Sequence, residues 1–345
     1  MVLSITDCSI LQTYMFRTGK NIKIFFNYIV GPLLGVWLFY SLYKQVKAQP
    51  NLQDSIHFMR QNLFGAQGWK FWVVILLAFI NWGLEAKKWQ TLMKKLQPLS
   101  YYIAFKSVLS GVTLSLNTPN RIGEYGGRIL YVKDGNRFKS IALSIAGSIS
   151  QLIITLIMGC GGLIFILATA ESASPVMGLS FFWIRILLFT TSCAVILLLL
   201  FFFRLSWVIK IIEKIPAFSR YAPYISVLED FDAKVLLRLL TLSFLRYIVF
   251  VIQYILLLQV LNVQMLWVQG FWIITLLFLV LAIVPTFAIA DLGIRGKFST
   301  ELLSLYSVNT IGIIATTFGI WFINLFIPAV VGSILIIGIR IFKEK

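Results

Sequence analysis

Long apolar runs, not alternating or heptad patterns, organise this chain. A helix needs roughly 17–25 apolar residues to cross the hydrocarbon core of a bilayer. Runs of that kind lie near residues 24–43, 70–86, 140–168, 181–203, 239–261 and 308–339. Two further runs, near 98–118 and 266–290, differ, because each ends in a segment that carries Pro, Gly and charges. The pattern predicts an all-α fold, a polytopic transmembrane helix bundle. Six full spans plus two re-entrant or broken helical segments is one arrangement, and eight full spans is the alternative. Residues 1–345 read as a single membrane-embedded domain with a cytoplasmic segment over 1–23 and a cytoplasmic connector over 204–238.

Positive charge separates the two arrangements. Lys and Arg gather in cytoplasmic loops of membrane proteins. If the two odd segments enter and leave on one face and the N-terminus is inside, the inner segments hold 22 Lys and Arg and the outer ones 6. If both cross fully, the split becomes 10 inside against 17 outside with the N-terminus inside, or the reverse with it outside, a weaker separation either way. The charge bias therefore favours re-entrance, with both termini cytoplasmic in a cell (plasma or inner) membrane.

Composition agrees with a membrane protein. Apolar residues make up 59% of the chain and charged ones 12%, against about 25% charged in soluble domains. The net charge of +17 comes with no DNA- or RNA-reading motif, so it is assigned to topology and to anionic lipid headgroups as partners, not to nucleic acid. Cys8, Cys160 and Cys193 form no CxxC, and His57 is the single histidine. Neither a disulfide framework nor a zinc site is indicated, no cofactor is expected, and catalytic chemistry built on several histidines is excluded. No cleavable signal peptide is evident; the first apolar run is expected to stay as an anchor.

The two interrupted segments carry related motifs. Thr118-Pro119-Asn120-Arg121-Ile122-Gly123-Glu124-Tyr125-Gly126-Gly127-Arg128 contains acid-x-Gly-x-Arg, as does Asp291-Leu292-Gly293-Ile294-Arg295 after Pro285. Each motif follows an apolar run and precedes an apolar helix, so together they read as a weak internal repeat. Under re-entrance, one is entered from inside and the other from outside. Inverted repeats with interrupted helices are a transporter plan, with the site near the midplane. Proline ends regular helix, and irregular backbone at membrane depth must be buried in protein or line a wet cavity. Arginine there can grip a phosphate bidentately, and a nearby carboxylate can balance it. The same residues also fit ordinary interfacial loops or structural ion pairs.

The segment Pro119-x-Arg121-x-Gly123-Glu124-x-x-x-Arg128, the helix after it, and Pro285…Leu292-Gly293-Ile294-Arg295 resemble the lysylphosphatidylglycerol synthase transmembrane region family of flippase-like integral membrane proteins. The resemblance runs from about residue 20 to 340. The second motif departs from the family pattern Gly-Gly-Leu-Gly-x-Arg-Glu: Ala290-Asp291 replaces the glycine pair and Gly296 the glutamate. In fused relatives this region is thought to translocate an aminoacylated phospholipid that a cytosolic domain makes. No counterpart of that domain is found in these residues, so the resemblance implies lipid translocation without lipid aminoacylation. The implied substrate is a phospholipid or lipid-linked precursor. Pro119, Arg121, Gly123, Glu124, Arg128, Asp291, Gly293, Arg295 and Arg246 are the candidate binding residues. Arg121, Arg128 and Arg295 would hold phosphate, while Glu124 and Asp291 would balance charge or carry a proton.

Other polar residues fall inside the spans. Asn81 and Glu85 share a helix face, although Glu85 also reads as interfacial. Arg246 and Gln253 share another face, with Arg246 about two turns in, a headgroup or counter-charge candidate. Ser140, Ser144, Gly147, Ser148 and Gln151 suit close helix packing. Arg185 reads as an interface anchor, and Trp69, Trp72, Trp82 and Trp89 as belt aromatics. Three functions are compatible with these residues: a lipid translocase, an intramembrane lipid-modifying enzyme, and a non-transporting subunit of envelope lipid or glycan synthesis. The enzyme lacks an evident nucleophile or metal set, so a non-enzyme is expected.

Overall fold

The computed structural model describes residues 67–116, 118, 121–169, 178–204, 222–229, 231–284 and 291–343, with isolated positions before residue 67. The run at 24–43 and most of the 204–238 connector lie outside the described residues. Among those described, the secondary structure is almost wholly helical: α1 (Gly68–Met93), α2 (Tyr101–Leu116), α3 (Gly123–Ile129), α4 (Arg137–Thr169), α5 (Phe181–Phe203), α6 (Ala233–Val260), α7 (Trp267–Ile283), α8 (Asp291–Leu303), α9 (Thr310–Trp321) and α10 (Ile327–Lys343). A π-helical turn, Phe322–Phe326, joins α9 to α10. Among the described residues, five helices are long and apolar enough to span a bilayer: α1, α4, α5, α6 and the continuous α9–π–α10 rod. Their outer faces are apolar, with Phe182, Phe189 and Leu200 of α5 exposed, as a lipid-facing surface requires.

The two odd runs are helical hairpins. Helix α2 enters the bundle and α3 returns antiparallel against it. The two backbones touch: a Cβ on Gly127 would sit 2.2 Å from the Ser110 carbonyl oxygen, and one on Gly123 would sit 2.1 Å from that of Leu114. Glycine is required at both positions for this approach. Ser107 donates to the Arg128 carbonyl at 3.1 Å. The hairpin closes where it opened. The Lys133 amide donates to Gln97 Oε1 at 3.0 Å, and Asn136 Nδ2 to the Leu96 carbonyl at 3.4 Å. Both ends therefore lie at the face where α1 ends and α4 begins.

Helices α7 and α8 repeat the device. Ile294 and Phe298 of α8 pack on Leu281 of α7. At the base, Asn309 Nδ2 donates to the carbonyls of Leu261 and Asn262 at 3.2 and 3.0 Å. This base lies at the opposite face, because α1 and α6 run antiparallel: Lys70, at the start of α1, donates to Gln259, at the end of α6, at 2.7 Å. The order helix, hairpin, helix occurs twice. The starts pair as 68 with 233, 101 with 267, 123 with 291 and 137 with 310, an offset of 165 to 173 residues. The chain is an inverted repeat in which the hairpins enter from opposite faces.

The helix boundaries shift one expectation. Helix α1 runs on to Met93, whereas the apolar run stops near residue 86. Glu85 and Lys88 in this last part are buried and paired, so their charges do not mark the water interface. Trp82 and Trp89 are also corrected. They are 5% and 0% exposed and lie under arginines, whereas Trp69 and Trp72, at 60% and 71%, suit the belt position. Of the small polar stripe, Gly147 abuts Leu92 of α1 and Gln151 donates to the Ser243 carbonyl of α6 at 3.5 Å, while Ser140 and Ser148 bond within α4; the neighbouring Ser150, outside the stripe, bonds Ser243 at 2.9 Å.

Candidate functional site

Polar groups meet halfway along the spanning helices. Asn81 is the fourteenth residue of the 26 in α1, and Arg246 the fourteenth of the 28 in α6. Asn324 lies midway along the span Thr310–Gly338. The three are joined: Arg246 Nε donates to Asn81 Oδ1 at 2.8 Å, and Asn81 Nδ2 to Asn324 Oδ1 at 3.3 Å. Asn324 Nδ2 continues to Gln253 Oε1 at 3.0 Å, and Gln253 Nε2 ends on the Val74 carbonyl at 2.9 Å. The π turn widens the helix at Asn324, a distortion common at functional sites. Polar side chains at this depth are costly unless satisfied, and this chain satisfies most of their hydrogen bonds.

Glu85 anchors the next layer. Its carboxylate takes Lys88 at 2.8 Å, Arg128 at 2.7 Å and Arg246 at 2.9 Å. Arg128 also pairs with Glu124 one turn earlier on α3. Glu85, Lys88 and Arg128 are each below 5% exposed. Trp89 faces the Arg128 guanidinium at 5.1 Å and Trp82 that of Arg246 at 5.3 Å, a stacking contact that arginine favours. This cluster ties the first hairpin to α1 and α6.

Beside it lies a cavity of about 70 Å³, well above the roughly 10–15 Å³ needed to admit a water. Arg121 from the first hairpin tip, Arg295 from the second and Arg246 from α6 all line it, with Trp82, Tyr254, Ser299, Thr317 and Asn324. Arg121 before α3 and Arg295 in the first turns of α8, from hairpins that enter from opposite faces, thus meet at mid-depth. Arg121 has a left-handed backbone, φ 59°, which costs about 1–2 kcal/mol in a non-glycine residue. Thr118 fixes that turn, its hydroxyl accepting from the Gly123 amide at 2.7 Å. Among the described residues, no ion pair holds the Arg121 side chain. Arg295 spends Nε on Asp291 at 2.9 Å, and no described residue holds its two terminal nitrogens. The Trp82 indole N–H is likewise buried without a partner among the described residues. Tyr254 bonds Ser299 at 3.1 Å and Thr317 at 2.8 Å on the far wall.

The sequence candidates therefore separate. Arg121, Arg246 and Arg295 come together around the cavity. Arg128 and Glu124 lie in the Glu85 cluster and do not line it. Gly123 serves hairpin packing, and Gly293 is buried in α8. Asp291 starts α8 and pairs with Arg295 just as Glu124 in α3 pairs with Arg128, so the two acid-x-Gly-x-Arg motifs form the same one-turn ion pair. Pro119 lies outside the described residues. Lys88 and Asn324 are absent from the sequence candidates, and Trp82 and Trp89 read there as belt aromatics. Asn324, an amide deep inside the apolar run 308–339, is the signal that could have found the midplane node. A second, apolar cavity of about 310 Å³ lies on the other side of α7, lined by Leu163, Ile184, Leu276, Val280 and Phe298 among others. No group of three or more His, Cys, Asp or Glu among the described residues could hold a metal.

The model of one family, described as Lysylphosphatidylglycerol synthase TM region, matches residues 28–332. No curated protein and no solved structure matches the chain.

Proposed function

The chain belongs to the Lysylphosphatidylglycerol synthase TM region family, and from that premise of a membrane-lipid role we propose that it moves a phosphate-bearing lipid between leaflets. The observation that carries this reading is the meeting of two oppositely entering hairpin tips at one arginine-lined cavity, midway along the spanning helices. A headgroup that crosses must give up its water, which costs several kcal/mol per ion. Arg121, Arg246 and Arg295 offer fixed, charge-assisted donors at the depth where that cost peaks. The ends of both hairpins are held by hydrogen bonds at opposite faces, so each tip can shift while its base stays fixed. Access from one face and then the other follows from moving one tip at a time. The apolar cavity beyond α7 is suited to the lipid's hydrocarbon. Charge bias assigns the face at which α1 ends to the cytoplasm of the cell membrane.

The test is reconstitution. Purified protein in liposomes with a fluorescent phospholipid in both leaflets should accelerate transbilayer exchange, read as the fraction quenched by a membrane-impermeant reductant. Exchange no faster than in protein-free liposomes, across anionic, zwitterionic and polyprenyl lipids, would overturn the reading. Turnover of the lipid in the same vesicles would point to an enzyme instead.

A further inference from the structure

Charge at the cavity narrows the substrate. The site and its supporting cluster contain five cations (Lys88, Arg121, Arg128, Arg246 and Arg295) against three carboxylates (Glu85, Glu124 and Asp291), an excess of two positive charges. Every one of the three carboxylates is engaged by a cation. None of the three lines the cavity among the described residues. A headgroup amine entering here would therefore meet three lining arginines, and no carboxylate among the described lining residues. The cavity, at about 70 Å³, admits a group of phosphate size, and the selection rests on charge.

We infer that the cavity selects a terminal phosphomonoester, a headgroup that carries two negative charges, in preference to zwitterionic, singly anionic or aminoacylated headgroups. The two charges of such a group equal the excess in the site, and its three outer oxygens offer one acceptor face to each of Arg121, Arg246 and Arg295. A phosphodiester has one charge and only two such oxygens, so one arginine would stay unpaired. The source of the phosphate as a lipid, and not as the free ion, rests on the translocase reading above.

Binding is measured on purified full-length protein in nanodiscs of phosphatidylcholine at pH 8. The probes are phosphatidic acid, phosphatidylglycerol, phosphatidylethanolamine, lysylphosphatidylglycerol and inorganic phosphate. Phosphatidic acid should bind more tightly than phosphatidylglycerol by about tenfold or more, the gain from one further charge-assisted hydrogen bond. Arg121→Gly and Arg295→Gln should each shrink that ratio towards one while the unfolding temperature stays within a few degrees of the parent. Equal binding of phosphatidylglycerol or phosphatidylethanolamine, or tightest binding of lysylphosphatidylglycerol, overturns the inference. Inorganic phosphate binding as tightly as phosphatidic acid overturns the lipid-borne source. Selective binding of phosphatidic acid without transbilayer movement supports the selectivity and defeats the translocase reading, so the two fail separately.

Discussion

Replacing Glu85 by glutamine removes a single negative charge from the point where α1, α3 and α6 meet. The geometry fixes who loses most. Arg128 keeps Glu124, and Arg246 keeps its bond to Asn81 and is 20% exposed. Lys88 is 2% exposed and has Glu85 as its ion-pair partner at 2.8 Å. Breaking a buried pair by removing one partner costs about 3–5 kcal/mol, and here two of three cations retain other partners, so the lower end applies: about 3 kcal/mol. Removing the orphaned cation too should recover much of that loss, so Glu85→Gln with Lys88→Met should fall within about 2 kcal/mol of the parent, since replacing both members of a buried pair is often near neutral. Lys88→Met alone should cost less than Glu85→Gln, because the carboxylate keeps two arginines. The assay is reversible unfolding by sodium dodecyl sulfate in mixed micelles, run as a double-mutant cycle. A loss below about 1 kcal/mol for Glu85→Gln, or a double variant less stable than Glu85→Gln alone, would refute the assignment of Glu85 as the counter-charge of Lys88.

Other consequences are open to measurement. Gly127→Ala places a methyl group 2.2 Å from a backbone oxygen and 2.5 Å from the Gly111 Cα, so it should push α3 off α2, cost about 1–3 kcal/mol or more, and slow transport; an unchanged unfolding curve would contradict the hairpin contact. Arg121→Gly should leave stability nearly unchanged, since relief of a left-handed backbone worth about 1–2 kcal/mol offsets glycine's entropy cost of about 0.5–1 kcal/mol, yet it should weaken phosphatidic acid binding about tenfold. Asn324→Leu strands Asn81 and Gln253 and should cost about 1–3 kcal/mol in the same unfolding assay. With Cys8, Cys160 and Cys193 replaced, single cysteines at 97 and 133 should both label from one face and those at 262 and 309 from the other; labelling of 97 and 133 from different faces would rule out re-entrance.

Much of this was legible in the residues, for a definite reason. Span-length apolar runs leave helices as the structures that satisfy their own backbone in lipid, and a bias of 22 cations to 6 separated half-crossings from full ones. The acid-x-Gly-x-Arg pair pointed to an internal repeat, and the repeat recurs in the structure as an i,i+4 ion pair at Glu124–Arg128 and Asp291–Arg295. What stayed hidden depended on contacts between residues distant in sequence. Glu85 and Lys88 look interfacial in isolation, because nothing local reveals that Arg128, 43 residues on, and Arg246, 161 residues on, close over them. Trp82 and Trp89 looked like belt residues because an indole at a span end is usually one, while their burial depends on arginines from α3 and α6. The division of the arginines between cavity and cluster could not be read either, since Arg121 just before α3 and Arg128 in its last turn stand seven residues apart in one motif.

The central claim is that the two tip arginines act together on a crossing headgroup. The direct measurement is the rate of transbilayer exchange in proteoliposomes for the parent, Arg121→Gly, Arg295→Gln and the double variant, at matched protein insertion. The account predicts that either single change removes most of the protein-dependent rate and that the double change adds little, because both act on one bound group. Parent-like exchange in the double variant would contradict it.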